Sequence, residues 1–141
     1  MEAKQVSVEM LKTVNMIKRD IDSRISNDIN KDLTSAQAHL ITFLYNTKDI
    51  YQKDIEEVFK LHRSSVSLML GNMEKNDLIK RVVDTSDKRL KKIILTEKSE
   101  AYYEKIQNVM LDVKEKILLN ITQEEGKTII TVLEKMQQNL K

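Results

Sequence analysis

Residues 52–96 read QKDIEEVFKLHRSSVSLMLGNMEKNDLIKRVVDTSDKRLKKIILT, and this stretch decides the fold. Its first part carries two short helical patterns. Ile55, Val58 and Phe59 mark the inner side of a helix over Gln52–Phe59. Val66, Met69, Leu70 and Met73 mark that of a second over His62–Lys75. Two short helices joined through Lys60 and Leu61 make a helix-turn-helix. The period then changes. Leu78–Val83 and Leu90–Leu95 are short and β-prone, and Asp84, Thr85, Ser86 and Asp87 between them are turn residues. This predicts a β-hairpin with a polar tip, in a chain that is otherwise helical.

Outward from that stretch, helices continue on both sides. Upstream, Val6, Met10, Val14, Ile17, Ile21 and Ile25 draw one stripe along a helix over Val6–Ile29. Thr34 with Gln37 forms a capping box that opens a second helix, reaching Tyr45, with Ala38, Ile41, Leu44 and Tyr45 as its inner side. Downstream, Thr96 caps a long helix over Glu97–Asn120. Its apolar side is Tyr102, Ile106, Val109, Val113 and Ile117, with Met110, Leu111 and Leu118 beside it. Thr122 and Glu125 form another capping box, and Ile129, Leu133, Met136 and Leu140 then repeat at heptad spacing. The fold class is mainly α with a small β-hairpin wing. It is read as one domain over 1–141, with a winged helix-turn-helix at 33–96 flanked by dimerisation helices at 1–30 and 97–141.

Composition agrees. The 141 residues include no proline and no cysteine, and the only glycines are Gly71 and Gly126, so nothing forbids long helices. Without cysteine there is no disulfide framework and no thiolate metal site. No apolar run approaches the ~18 residues that a spanning helix needs, and the first residues lack the pattern of a signal peptide. The expectation is a cytoplasmic protein without a membrane partner. The net charge of +2 hides a segregation: residues 1–59 carry −2, residues 60–92 carry +5 and residues 93–141 carry −1. Cations are concentrated in the central block, where a polyanion can sit.

Within the second helix of the helix-turn-helix, packing Val66, Met69, Leu70 and Met73 inward turns Ser64, Ser67, Leu68, Gly71 and Lys75 outward. Small polar side chains let a helix sit deep in a major groove, and Leu68 suits a thymine methyl. Arg63, Ser65, Asn72 and Lys75 lie on the flanks or at the exit, placed for phosphates. Lys88, Arg89, Lys91 and Lys92 form the densest basic cluster, in the wing.

Three stretches carry a family resemblance: LTSAQAHLITFL at 33–44, the helix-turn-helix at 52–82, and DTSDKRLKKIILTEKS at 84–99. Together they resemble the multiple-antibiotic-resistance regulator (MarR) family of bacterial transcription factors, the Asp-x-Arg wing followed by Leu-Thr-Glu-Lys most specifically. The resemblance implies a homodimer that binds double-stranded DNA, as a repressor on a pseudo-palindromic operator. It implies that Arg89 enters the minor groove, where narrow A·T-rich sequence concentrates negative potential, while Asp87 braces the wing. His62 stands where the family has a capping residue, so it is assigned to capping or to a phosphate. Asp77 stands where the family has glycine, so a left-handed backbone is expected there. A small-molecule effector is a further partner that the resemblance allows, binding between the wing domain and the dimerisation helices, with His39, Tyr45, Met16 and Tyr102 as linings or as ordinary packing.

The DNA-binding set is therefore His62, Arg63, Ser64, Ser65, Ser67, Leu68, Asn72, Lys75, Asp87, Lys88, Arg89 and Lys91. No catalytic residue, metal ligand or cofactor is expected. Phosphate-loop, HExxH and Gly-x-Ser-x-Gly patterns are absent, and His39 and His62 lie in different helices. The rival reading is a winged helix that binds protein rather than DNA, because fold alone does not fix function.

Overall fold

The computed structural model describes residues 2–141. Six helices and one hairpin follow in the order α1 (Ala3–Asp28), α2 (Ser35–Asn46), α3 (Gln52–Phe59), α4 (Arg63–Lys75), β1 (Ile79–Val83), β2 (Lys91–Leu95), α5 (Glu97–Ile117) and α6 (Gln123–Asn139). The starts of α2, α5 and α6 are set by side chains. In each, a threonine hydroxyl (Thr34, Thr96, Thr122) accepts from the N–H three residues on. The side chain there (Gln37, Ser99, Glu125) accepts from the threonine N–H in return. Two predicted ends shift by three residues and the others by one at most. α1 begins at Ala3 rather than Val6, and α5 stops at Ile117 because Asn120 takes a left-handed backbone, φ 63°, that turns the chain into α6.

The core forms where α1, α2, α3, α4, α5 and the base of the wing converge. Ile25, Leu40, Ile41, Ile55, Leu70 and Ile106 are fully buried there. Truncating such a residue to alanine costs roughly 2–5 kcal/mol. Two inner-face assignments are corrected. Tyr45 and Val58 are exposed, and Leu40 is buried in their stead. α2 packs against both α5 and the wing, so its buried arc is wider than one stripe and takes in Leu40. Tyr45 lies flat on Tyr103 of α5 instead, ring centroids 3.7 Å apart and 6° from parallel.

β1 and β2 pair antiparallel with Arg81 opposite Ile93. Ile50, in the loop before α3, accepts from Ile93 N–H at 2.8 Å and so pins the hairpin to the helical body. Asp77 adopts φ 59°, as its place between α4 and β1 predicted. The turn is held by Leu78 N–H donating to Met73 O (2.8 Å) and by the Thr96 hydroxyl donating to Asp77 O (2.7 Å).

The outer helices are unequal. Ile21 and Ile25, late in α1, are buried, and ion pairs Arg24–Asp112 (3.8 Å) and Lys116–Asp20 (3.4 Å) tie this part to α5. The first half of α1 and all of α6 bury nothing in this chain. No helix is long and apolar enough to cross a membrane among the described residues.

Candidate nucleic-acid interface

The recognition-helix candidates sit as the helical period requires. Val66, Leu70 and Met73 fasten α4 to the core, while Ser64, Ser65, Ser67, Leu68, Asn72 and Lys75 are exposed. Leu68 is the extreme case, an apolar side chain 68% exposed. Gln52 of α3 donates to the Ser67 hydroxyl at 2.8 Å. Ser67 oxygen is thus occupied as an acceptor and its own proton stays free to donate outward. Sequence reasoning missed Gln52, because only the turn through Lys60, with φ 53°, brings the start of α3 beside α4.

His62 does not cap. It is the N-cap residue of α4, yet its side chain makes no capping hydrogen bond. An imidazole is too large to fold back on the first turn as serine or aspartate does. The first amide N–H groups of α4 therefore have no capping side chain, and such a helix start favours an anion.

In the wing, the Asp87 carboxylate accepts from Arg89 three times: from the backbone N–H at 3.0 Å, Nε at 3.2 Å and Nη2 at 3.2 Å. The guanidinium beside it, then the backbone N–H, hold the Asp87 carboxyl below its usual range. An exposed pair of this kind adds little stability, but it fixes the direction in which Arg89 projects. Lys88 and Lys91 are exposed beside it. Lys92 leaves the predicted cluster: its ammonium pairs with Asp49 at 2.8 Å, on the other face of the hairpin. The strand alternation that separates Lys91 from Lys92 puts only the former toward α3 and α4.

Between α3, the start of α4 and the wing lies an open cleft of about 410 Å³. Arg63, Arg89 and Lys91 line it together with Lys53 and Arg81, which the sequence reading did not select. Arg81 Nε is buried without a hydrogen bond, 3.7 Å from Glu74 Oε2. Its signal in the sequence was positional: it occupies the β1 face opposite Ile93. Lys53 gave none, since the rotation of α3 against the wing is a tertiary matter.

At the wing base, Asp84 is only 7% exposed. One of its oxygens accepts from the Tyr51 hydroxyl, the other from Ser86 N–H and Ser86 Oγ, both at 2.9 Å. These bonds, that from Tyr51 foremost, pull its carboxyl from 3.8 down to about 2. The folded value is depressed, so the bonds stabilise the fold fully above the unfolded value and cease to do so as pH falls through the folded one. Asp84→Asn is expected to flatten the fall in stability between pH 4 and pH 2. Chemical denaturation across that window checks this, and an unchanged slope would show that the carboxylate is not so held.

The expected effector linings do not converge. Met16 lies in a groove with Ile17, Val113 and Ile117, whereas Tyr45 borders a separate one with Lys48 and Leu95. Tyr102 bonds Asn30 at 3.1 Å, and His39 bonds the Ser35 carbonyl at 2.8 Å. Tyr45, Tyr102 and His39 are engaged by stacking or local bonding, whereas Met16 is exposed at its groove.

The same arrangement is found in known proteins. The MarR family model matches residues 33–91. The HTH-type transcriptional regulator YybA of Bacillus subtilis (strain 168) is 29% identical over 134 residues, covering 94% of this chain and 89% of that protein. Over residues 33–91 the chain is similar to the MarR family. Among solved structures, Staphylococcus aureus MepR, determined as a DNA complex, is 25% identical with a TM-score of 0.85, covering 96% of each chain. The transcriptional regulator SlyA is 28% identical with a TM-score of 0.78, covering 93% of each chain. The similarity to these proteins spans the terminal helices as well as the winged helix.

Proposed function

We propose that this chain is a sequence-specific, double-stranded DNA-binding transcriptional regulator that acts as a homodimer. The observation that carries this reading is the cationic cleft joining the start of α4 to the wing, with Arg63, Arg81, Arg89, Lys91 and Lys53 on its walls. A polyanion is the ligand that such a surface fits. The solved DNA complex of MepR supports the choice of duplex DNA. In this reading α4 enters the major groove, with Ser64, Ser67 and Leu68 toward bases. His62, Arg63, Ser65, Asn72 and Lys75 meet phosphates, Arg89 reads the minor groove with Asp87 behind it, and Lys88 and Lys91 hold the flanking backbone. Residues 33–96 form the reading unit, and 1–30 with 97–141 the dimerisation unit. A dimer seated on an operator excludes other proteins from that DNA, so the expected sign is repression, in the cytoplasm and without a catalytic step. Release by a small ligand fits the same scheme, since a ligand that prefers one spacing of the two reading units shifts the equilibrium between them.

The test is titration of labelled duplex from upstream of the protein's own gene, beside a scrambled duplex, at two salt concentrations. Tight binding to the first, binding about a thousandfold weaker to the second and a steep salt dependence are expected of a specific regulator. Arg89→Ala is expected to weaken binding about tenfold, most where A·T-rich sequence flanks the site, and to reduce the salt slope by about one. Absence of binding to either duplex at low salt would move the assignment to a protein-interaction module.

A further inference from the structure

The bond between Tyr51 and Asp84 joins the start of α3 to the foot of the wing tip, beyond the Ile93–Ile50 bond and the Lys92–Asp49 and Arg81–Glu74 pairs that hold the strands nearer their base. Tyr51 is the N-cap residue of α3, a position at which a side chain ordinarily accepts from the helix's own first amides. A phenol cannot bend back to do this. The capping is one-sided, with the Asp54 carboxylate accepting from Tyr51 N–H at 2.9 Å. The ring extends away from the helix, borders the cationic cleft and delivers its hydroxyl to Asp84 at the foot of the wing. Asp84 is also where the hairpin tip starts: its N–H donates to Leu90 O at 2.8 Å, and Leu90 N–H donates to Asp87 O at 3.0 Å. A chain of bonds therefore runs from the first turn of α3 through Tyr51 and Asp84 to the turn that carries Asp87 and Arg89.

We propose that Tyr51 is a positioning residue for DNA recognition, clamping the wing to the helix-turn-helix through Asp84 so that Arg89 is held at a fixed distance from α4. This rests on the DNA-binding reading above. The physical reason is entropic. Two antiparallel strands alone are marginal in water, and a swinging wing loses orientational freedom when Arg89 docks. A clamp that removes that freedom in the unbound protein raises affinity without adding a contact to DNA. Ser86 bonds the same carboxylate but lies within the wing turn, so it does not link the wing to α3.

The experiment has a DNA-free arm and a DNA arm, using the full chain. In the first, limited trypsin digestion at the wing tip, where Lys88 and Arg89 are exposed, is compared for wild type, Tyr51→Phe and Ser86→Ala. Tyr51→Phe is expected to speed tip cleavage several-fold, with Ser86→Ala close to wild type and circular dichroism unchanged in both. In the second, wild type, Tyr51→Phe, Arg89→Ala and the double variant are titrated against one duplex enriched by the wild type from a random-sequence pool. Tyr51→Phe is expected to weaken binding about tenfold, on the scale of one hydrogen bond to a charged group. The double variant should then be no weaker than Arg89→Ala, because both changes remove one contribution. Additive losses, or unchanged cleavage in Tyr51→Phe, would overturn the clamp while leaving DNA binding intact. A wild type that enriches no duplex would remove the DNA-binding reading, and the clamp's role with it.

Discussion

Leu68→Glu is expected to lower DNA affinity by at least about a hundredfold, since unfavourable charge placement at an interface costs several kcal/mol. The side chain is 68% exposed on the outer face of α4, where it supports nothing in the core. Leucine and glutamate have similar helix propensities, so the folded chain should be unaltered. In the major groove the same exchange replaces an apolar group suited to a thymine methyl with a carboxylate that faces base acceptors between two phosphate backbones. Leu68→Ala keeps the charge balance and should cost only several-fold, mostly at sites carrying thymine. Fluorescence anisotropy with labelled duplex, paired with thermal unfolding, separates the outcomes. Wild-type affinity in the glutamate variant would place the outer face of α4 away from the groove, however basic the neighbouring cleft.

The contrast between Leu68 and Tyr51 shows what the sequence makes legible. A helix that packs Val66, Leu70 and Met73 has only one outward face, and period alone puts Leu68 on it. The capping threonines Thr34, Thr96 and Thr122 were readable for the same reason: their bonds close within three residues. Asp77 was readable because few side chains tolerate a left-handed backbone at the end of a helix. Interactions across long separations were not. Tyr51 and Asp84 are 33 residues apart, and their bond depends on how α3 rolls against the wing. Lys92 looked like a member of the basic cluster until its register placed it against Asp49. His62 failed as a cap through size, a local property that a resemblance overlooks. Tyr45 failed as a core residue because α2 buries more than one stripe and leaves its last turn to stack on Tyr103.

Ile129→Asp together with Leu133→Asp is expected to convert a dimer into a monomer and to reduce binding to a two-half-site operator by about a hundredfold or more, the scale set by losing a tethered second contact. α6 is a 17-residue helix with no buried residue in its own chain. An isolated helix of that length is marginal in water, and helices in proteins persist by packing an apolar face. Yet α6 carries Ile129, Ile130, Val132 and Leu133 exposed, and the first half of α1 likewise exposes Leu11 and Val14. Val6, Met10, Leu11 and Val14 of α1 face Met136 of α6 and Leu140 just beyond it across an open groove of about 540 Å³. Exposed apolar surface of this extent marks an interaction site, and a self-complementary one closes with two-fold symmetry. That symmetry also supplies what DNA recognition needs, two copies of α4 for half-sites about 34–36 Å apart. The paired aspartates act on α6 alone, so the winged helix stays folded and its weak binding to a single half-site should survive. Sedimentation velocity is expected to give twice the 16.5 kDa chain mass for wild type and the chain mass for the variant. A wild-type monomer would remove the two-half-site scheme, and a variant that stays dimeric would move the interface from α6 to the exposed face of α1.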